Sequence, residues 1–324
     1  MIEKILPYFA SYLVYIFGIL LSSENKVTQQ SISVLTKRST RKIRTFLRNK
    51  VDFDRLFMDV FRLLNIDLTK GNFSFDGTIY AKPYAKVLKY LSTMYSPSDG
   101  SYTKGCEILL LTWSNGIITL PVCFRIWYKG LGKTKIEIAL ELIKYAQTIT
   151  KSKNLSFRFD AFFNKKRILG YLQKNHIFFV TRLEKSRVVL IEKQRIQLKS
   201  ISFNGRFFQV FLPGVGKVWI TKYKRKFYCS NVCPNYQKQL YEWYAERWTI
   251  ECVFRFVKSE AHLEDCQSTD EVQNYNHIGF CFLSYALLVA LFPQVNVYEA
   301  KRLFYSKLIK KREKIVPLVL QLCA

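Results

Sequence analysis

The order of hydrophobic and polar positions divides the chain into a helical beginning, a β-rich middle and a helical end. After an apolar start, residues 29–50 predict one helix and residues 51–68 a second, because their apolar positions recur at helical spacing. The pattern then changes to runs rich in aromatic and branched residues at 72–80, 106–113 and 117–127, which predict strands. Between the last two, Asn115-Gly116 predicts a hairpin.

The middle of the chain alternates helices and strands. Helical spacing predicts helices at 133–150 and 165–174, and short apolar runs predict strands at 155–159 and 177–181. This order, β-β-β-α-β-α-β, predicts an α/β fold with a mixed sheet. Strand-like runs with turn signals at Asn204-Gly205 and Pro213-Gly214 interrupt it at 184–228, and helices return at 235–260, 270–292 and 297–312.

The charge balance indicates a polyanionic partner. The chain has 324 residues, with 51 Lys and Arg against 24 Asp and Glu, which gives a formal net charge of +27. A hydrophobic share of 49% excludes intrinsic disorder and is enough for one or two cores. Because so large a positive excess opposes compact folding, we expect nucleic acid as the first candidate partner and an anionic membrane surface as the second.

Two basic stretches are candidates for binding this partner. Seven basic residues and no acid lie between positions 37 and 50, and one helical face carries Lys37, Arg41, Arg44 and Arg48. This face suits a phosphate backbone, with an ordinary solvated face as the alternative. In the β-rich segment, Lys222 and Lys224 alternate with aromatic residues, which suits a nucleic-acid strand unless those aromatics belong to the core.

The cellular compartment is predicted from the cysteines and from the apolar N-terminal stretch. The eight cysteines lie far apart and no convincing secretory signal precedes them, so we expect free thiols in a cytoplasmic, nucleoid-associated protein rather than disulfides or a zinc site. Residues 5–21 carry no charge, but they contain Pro7 and Gly18 and fall short of the roughly 20 residues that a membrane span needs. We therefore expect no stable membrane association.

One helix carries the residues best suited to phosphate chemistry. Tyr244, Arg247, Glu251 and Lys258 fall within about 60° of arc on the helix predicted at 235–260. A carboxylate flanked by these groups is able to hold a metal ion and to bind phosphates beside it. A structural ion-pair face is the alternative interpretation.

Two further carboxylates are conspicuous by their positions. Asp76 lies in the middle of the first predicted strand, where an acid is unfavourable unless it faces a partner or a metal. Asp160 follows the strand predicted at 155–159, and sites gather at the carboxyl ends of strands in α/β sheets. A simple turn or helix cap is the alternative for Asp160.

These motifs together resemble those of the DDE transposases of bacterial insertion sequences, in the insertion-sequence-four-like group with the Tyr-Arg-Glu-Lys signature. The signature reads Tyr244-x2-Arg247-x3-Glu251-x6-Lys258, while Asp76-Gly77-Thr78 resembles the first acidic motif and the Asp160 segment resembles the second. The resemblance spans about residues 70 to 292. It departs at Ala161, where Arg or Gly is common in the family, and in a short N-terminal region.

The resemblance implies an RNase H-like core with a β-rich insertion before the glutamate helix. It implies that Asp76, Asp160 and Glu251 are catalytic and bind two Mg2+ or Mn2+ ions, and that Tyr244, Arg247 and Lys258 handle DNA phosphates. The implied reaction is cleavage of transposon ends and their joining to target DNA, which makes double-stranded DNA the partner and a homodimer on DNA the expected assembly.

The sequence thus divides into five expected regions. They are a helical DNA-binding region at 1–70, the first part of the core at 71–183, the β-rich insertion at 184–234, the catalytic-helix part at 235–292 and a helical C-terminal region at 293–324. Three alternative functions remain open. They are a DNA-binding protein that has lost catalysis, an RNase H-like nuclease without strand transfer, and a peripheral membrane protein that uses residues 5–21.

Overall fold

The computed structural model of the chain describes residues 9–21, 28–36, 38–96 and 100–310. Within this part, the chain begins with four helices, which are α1 (Ala10–Leu21), α2 (Gln29–Thr36), α3 (Thr40–Arg48) and α4 (Phe53–Leu63). The core that follows consists of β1 (Asn72–Ala81), β2 (Ser92–Ser96), β3 (Ser101–Ser114), β4 (Thr119–Trp127), α5 (Lys135–Thr150), β5 (Ser156–Phe159), α6 (Lys166–Lys174) and β6 (Phe178–Leu183).

The predicted β-rich insertion contains five strands. They are β7 (Val188–Ile191), β8 (Gln194–Gln197), β9 (Phe207–Leu212), β10 (Gly216–Tyr223) and β11 (Lys226–Ser230). Four helices complete the described chain, which are α7 (Gln239–Ala245), α8 (Trp248–Ser259), α9 (Glu271–Leu291) and α10 (Val297–Lys310). The α/β mixed-sheet prediction is confirmed, while β2 lies in a segment for which no strand was predicted.

Core and insertion form one sheet. Its strand order is β2-β3-β1-β5-β6-β11-β10-β9-β7-β8, with β4 beside β3. The neighbours β1, β5 and β6 run parallel, and the other pairs are antiparallel. Because β11 pairs with β6, the insertion continues the central sheet. The three parallel strands point their carboxyl ends in the same direction.

Aromatic side chains fill the space between the sheet and the helices. Phe75 of β1 stacks on Phe159 of β5 with ring centroids 4.9 Å apart, and it meets Phe163 edge-on at 5.2 Å. Successive residues of a strand point to opposite faces, so Asp76 faces away from this aromatic layer. The aromatic layer therefore holds β1, the strand that carries Asp76, in place.

Helix α9 is the central helix of the protein. In the part of the chain that the structure describes, it is the one helix long and apolar enough to cross a membrane, and 89% of its most apolar window is buried inside the protein. Its apolar residues belong to the same core cluster as those of α1 and α4. The helix predicted at 270–292 is confirmed, and the apolar residues of α1 also belong to this core.

Two helices that were predicted as continuous are interrupted, so those two predictions are wrong. Residues 29–50 form α2 and α3, because Ser39 caps the second helix by accepting a hydrogen bond from the Lys42 N–H at 3.3 Å. Residues 235–260 form α7 and α8, which meet at Glu246 and Arg247. The second interruption lies inside the Tyr-Arg-Glu-Lys signature and shapes the site described next.

Candidate active site

Asp76 lies at the middle of β1, on the sheet face that α8 covers. Its Oδ1 accepts a hydrogen bond from the Gly77 N–H at 2.8 Å, and its side chain is mostly buried. A side chain at Gly77 would meet the carboxylate of Glu107. A larger residue at this position would therefore displace the Glu107 side chain.

Asp160 follows β5 and begins a short turn at Ala161–Phe163 without forming a side-chain cap. Because β1 and β5 are parallel neighbours with Phe75 opposite Phe159, the next residues, Asp76 and Asp160, lie beside each other where β5 ends. The capping alternative is excluded. Instead, the Asp160 Oδ1 accepts a hydrogen bond from the Tyr244 hydroxyl at 3.0 Å and lies 3.8 Å from a guanidinium nitrogen of Arg182.

Arg247 connects the acids. Its Nη1 donates to Asp76 Oδ2 at 2.5 Å, and its Nη2 donates to Glu251 Oε1 one helical turn ahead. Its Nε donates to the Tyr244 hydroxyl at 3.1 Å, and that hydroxyl donates in turn to Asp160. One arginine thus contacts two of the acids directly and the third through a tyrosine.

The break between α7 and α8 positions this arginine. The backbone N–H of Arg247 bonds to the Tyr244 carbonyl at 3.0 Å, which is a tightened helical turn. Arg158 of β5 is buried and holds the end of α7, since its Nε donates to the Trp243 carbonyl at 2.9 Å and its Nη2 to Glu246 at 3.1 Å. Local spacing places Tyr244 and Glu251 near Arg247, and these two contacts anchor the junction to the sheet.

The electrostatics of the cluster follow from burial and crowding. Burial raises the pKa of Asp76 to about 6, the Arg247 charge opposes this rise, and Asp160 and Glu251 add to it. Burial alone would lower the pKa of Arg247, but attraction by the surrounding acids outweighs it and the net shift is upward. Arg247 is therefore charged, and the acids repel one another.

The donor set suits a hard divalent cation in type. Asp76, Asp160 and Glu251 supply carboxylate oxygens, which Mg2+ and Mn2+ prefer. Among the residues that the structure describes, however, no three His, Cys, Asp or Glu side chains converge closely enough to hold one ion. The Arg247 guanidinium bonds to two of these acids and bridges them.

Lys258, the last residue of the signature, has a different partner. Its Nζ lies 3.1 Å from Glu264 Oε1, and the same oxygen accepts a bond from the Ala81 N–H at 3.3 Å. The loop that carries Glu264 is anchored by Lys82, which donates to the Glu264 and Cys266 carbonyls at 2.6 and 2.7 Å. Lys258 thus pairs with a glutamate that bonds to the far end of β1, and it makes no ion pair with the three acids.

The predicted DNA-binding residues on α3 are at the surface. Arg41, Arg44 and Arg48 are exposed, whereas Ile43 and Leu47 on the other side of the helix are buried. Lys37 lies outside the described residues. Three of the four residues predicted to bind a phosphate backbone are therefore exposed arginines. That this face binds DNA stays a prediction.

The other predicted DNA-binding residues lie at the β10–β11 hairpin. Lys222 and Lys224 are exposed, while Phe227 is buried in the core, so the interleaved aromatics do not form a continuous exposed row. Tyr223 is half-buried and its ring lies 4.7 Å from that of Tyr241. The hairpin offers positive charge at its tip rather than a stacking platform along its length.

Three residues of the site were not singled out from the sequence. They are Arg158, Arg182 and Glu246, which hold the α7 end and flank Asp160. The available signal was an arginine inside the strand Ser156-Phe157-Arg158-Phe159, where burial requires a partner. Its partner lies 88 residues away, so the sequence pattern alone did not reveal it.

Part of the chain that carries this site matches a known protein family. Residues 135–287, just under half of the chain, match the profile of the family described as the transposase DDE domain. The matched range contains Asp160, Tyr244, Arg247 and Glu251, whereas Asp76 precedes it. The comparison with curated protein sequences gave no match.

A solved structure gives the fold. The chain is similar to the piggyBac transposase in a synaptic complex with hairpin DNA, solved by cryo-EM, with a TM-score of 0.55 and 11% identity over 96% of this chain and 73% of that one. The predicted RNase H-like fold is thereby confirmed. The profile match and the similar fold are thus both to transposases.

Proposed function

We propose that the protein is a DNA transposase of the insertion-sequence type that cleaves transposon ends and joins them to target DNA by divalent-metal-dependent phosphodiester chemistry. The observation that carries the proposal is the convergence of Asp76, Asp160 and Glu251, from three separate elements, on one Arg247–Tyr244 pair. The Tyr-Arg-Glu spacing of the bacterial signature supports the finer assignment.

Each residue has a distinct role in this proposal. Asp76, Asp160 and Glu251 would hold Mg2+ or Mn2+, two ions in all, which when bound neutralise the phosphate and activate the attacking oxygen. Arg247 presents a planar fork of donors that matches a phosphate, and Tyr244 orients it. Arg182, which flanks Asp160, adds positive charge where a DNA strand would pass.

The DNA surfaces and the assembly belong to the same proposal. Arg41, Arg44 and Arg48 on α3, and Lys222 and Lys224 near the β10–β11 turn, would bind the backbone of transposon-end and target duplexes. We infer a homodimer on DNA, because two ends must be joined together, and a cytoplasmic, nucleoid-associated location without stable membrane association. The net charge of +27 supports a polyanionic partner of this kind.

The test is a cleavage and joining assay on duplexes made from the DNA that flanks the gene, taken from wherever the two sides form a matched inverted repeat. Purified protein is incubated with duplexes that carry these ends, with MgCl2 or MnCl2, and with a target plasmid. We expect cleaved and joined products from the wild type, and none from Asp76→Asn, Asp160→Asn or Glu251→Gln, which should still bind the ends. Glu299→Gln, which removes an exposed acid on α10, is the matched control and should retain activity.

The outcomes separate the competing functions. Cleavage without joining would indicate a nuclease rather than a transposase. Binding without cleavage in either metal would indicate a DNA-binding protein that has lost catalysis. Near wild-type cleavage by a folded acid variant would remove that residue from the proposed catalytic set.

A further inference from the structure

Arg247 uses all the nitrogens of its guanidinium inside the acid cluster. Nη1 bonds to Asp76, Nη2 to Glu251, and Nε to the Tyr244 hydroxyl that bonds to Asp160. The side chain is only 10% exposed, against 20% for Asp76, 32% for Glu251 and 37% for Asp160. The arginine is thus the innermost group, and the acids surround it on the side open to solvent.

The positive charges of two arginines offset part of the negative charge of the three acids. Three carboxylates carry a formal charge of −3, Arg247 contributes +1, and Arg182 contributes a further +1 at 3.8 Å from Asp160. Buried like charges are costly without a counter-ion, and the protein supplies one itself. A divalent cation entering the cluster would be repelled by Arg247 and would have to compete with its hydrogen bonds to the same oxygens.

Resting on the function proposed above, we propose that Arg247 is the resident counter-ion of the three acids in the DNA-free protein, and that a DNA phosphate draws it away from them. The acids then gain their capacity for a divalent cation only when DNA is bound. A phosphate is the suitable competitor, because it matches the same fork of N–H donors that now binds Asp76 and Glu251. Arg247 is in this respect a positioning residue for the acids.

DNA binding and cation binding should be thermodynamically coupled in this protein. If DNA raises the affinity of the acids for a cation, the cation must raise the affinity for DNA by the same factor, because coupling between two sites is reciprocal. Both effects should depend on Arg247. A residue that only stabilised the fold would not produce this pair of linked changes.

The experiment measures Mn2+ binding to the full-length protein by the EPR signal of free Mn2+, with cleavage playing no part in the readout. We expect weak binding to the DNA-free wild type and at least about tenfold tighter binding to Arg247→Gln, a factor within the usual range of coupling between sites. Arg247→Lys, which keeps a charge but loses the fork, should fall between them. Arg255→Gln removes an exposed arginine of the same helix and should leave the affinity unchanged.

A second arm adds a short DNA duplex, with duplex alone and Asp76→Asn protein as blanks. Mn2+ binding to the wild type should tighten on addition of DNA, whereas Arg247→Gln should show little further gain. Circular dichroism confirms that each variant is folded, and the wild-type arm and Arg247→Lys decide the matter if Arg247→Gln does not fold.

Two results would overturn the proposal. One is a folded Arg247→Gln protein whose Mn2+ affinity equals or falls below that of the wild type, and the other is a wild type whose Mn2+ affinity does not change with DNA. Either result leaves the cleavage assay untouched, so failure of this inference is distinguishable from failure of the proposed transposase function.

Discussion

Arg247 donates a hydrogen bond to Asp76 at 2.5 Å although 171 residues separate them in the chain. This contact joins the first acidic motif to the Tyr-Arg-Glu-Lys signature. Because Asp76 lies outside the matched transposase DDE domain, its placement in the site depends on this contact and on the parallel pairing of β1 with β5. The two motifs therefore form one site.

The basic face of α3 should set the salt dependence of DNA binding. Replacing Arg41, Arg44 and Arg48 with Gln removes three exposed charges, so the slope of log affinity against log salt should flatten by about 2.7. Fluorescence anisotropy with labelled duplex at several salt concentrations measures the slope. The control replaces three other exposed lysines, Lys144, Lys151 and Lys153, with Gln. An equal change of slope in both variants would show that α3 presents an ordinary solvated face.

The two residues of the β10–β11 turn should lower the stability of the fold and strengthen DNA binding. Lys224 and Arg225 both adopt positive φ, at 47° and 63°, in a two-residue hairpin loop that favours Asn-Gly. Changing them to Asn and Gly should raise the free energy of unfolding by about 1 kcal/mol and weaken DNA binding. Urea denaturation and anisotropy measure the two effects.

The β7–β8 turn provides the matched control for this hairpin. Glu192 and Lys193 have φ of 50° and 66° in the same kind of two-residue loop, and the Asn-Gly change there leaves the net charge unaltered. It should stabilise the protein by a similar amount without affecting DNA binding. Equal losses of binding in both hairpins would contradict a DNA-binding role for the β10–β11 turn.

Substitutions at Lys258 and Glu264 should show whether Lys258 contacts a DNA phosphate or only forms a structural ion pair. If Lys258 exchanges Glu264 for a DNA phosphate, Lys258→Ala should lower single-turnover cleavage about tenfold, which is about 1.4 kcal/mol, whereas Glu264→Gln should preserve it. The Gln retains an oxygen for the Ala81 N–H. A similar loss in both variants, together with a similar loss of stability, would show that the pair only holds the loop to β1.

His277 should make the protein sensitive to mild acid. Burial lowers the pKa of His277 to about 4, and its ring bonds to the Tyr15 hydroxyl at 2.9 Å and to the His262 carbonyl. The unfolded chain, with an ordinary pKa near 6.5, therefore binds the proton more readily. Stability from this group is present above about pH 6.5 and is lost as pH falls toward 4, with about 2 kcal/mol lost between pH 7 and pH 5.

Urea unfolding at pH 7 and pH 5 tests this dependence in the wild type and in His277→Gln. The variant should lose about 2 kcal/mol less than the wild type over this interval, whatever its absolute stability. Identical pH dependence in the two proteins would show that His277 takes no part.

Features that depend on neighbouring residues were determined by the sequence. Arg247 contacts both Tyr244 and Glu251 because steps of three and four residues bring side chains together on a helix, even across the α7–α8 junction. The strands around Asp76 and Asp160 followed from short aromatic runs, and the buried helix α9 from its continuous apolar pattern. The acidic motifs were likewise visible in the printed order of residues.

Only the tertiary structure decided which charges meet. The Arg247–Asp76 and Arg158–Glu246 pairs span 171 and 88 residues, and no local spacing specifies them because they depend on strand pairing and on how α7 is anchored to the sheet. For the same reason the sequence placed Lys258 with the catalytic stripe, whereas the folded chain pairs it with Glu264. Charges attract whichever partner the packing of the backbone brings within reach, and that packing is settled by the whole hydrophobic core.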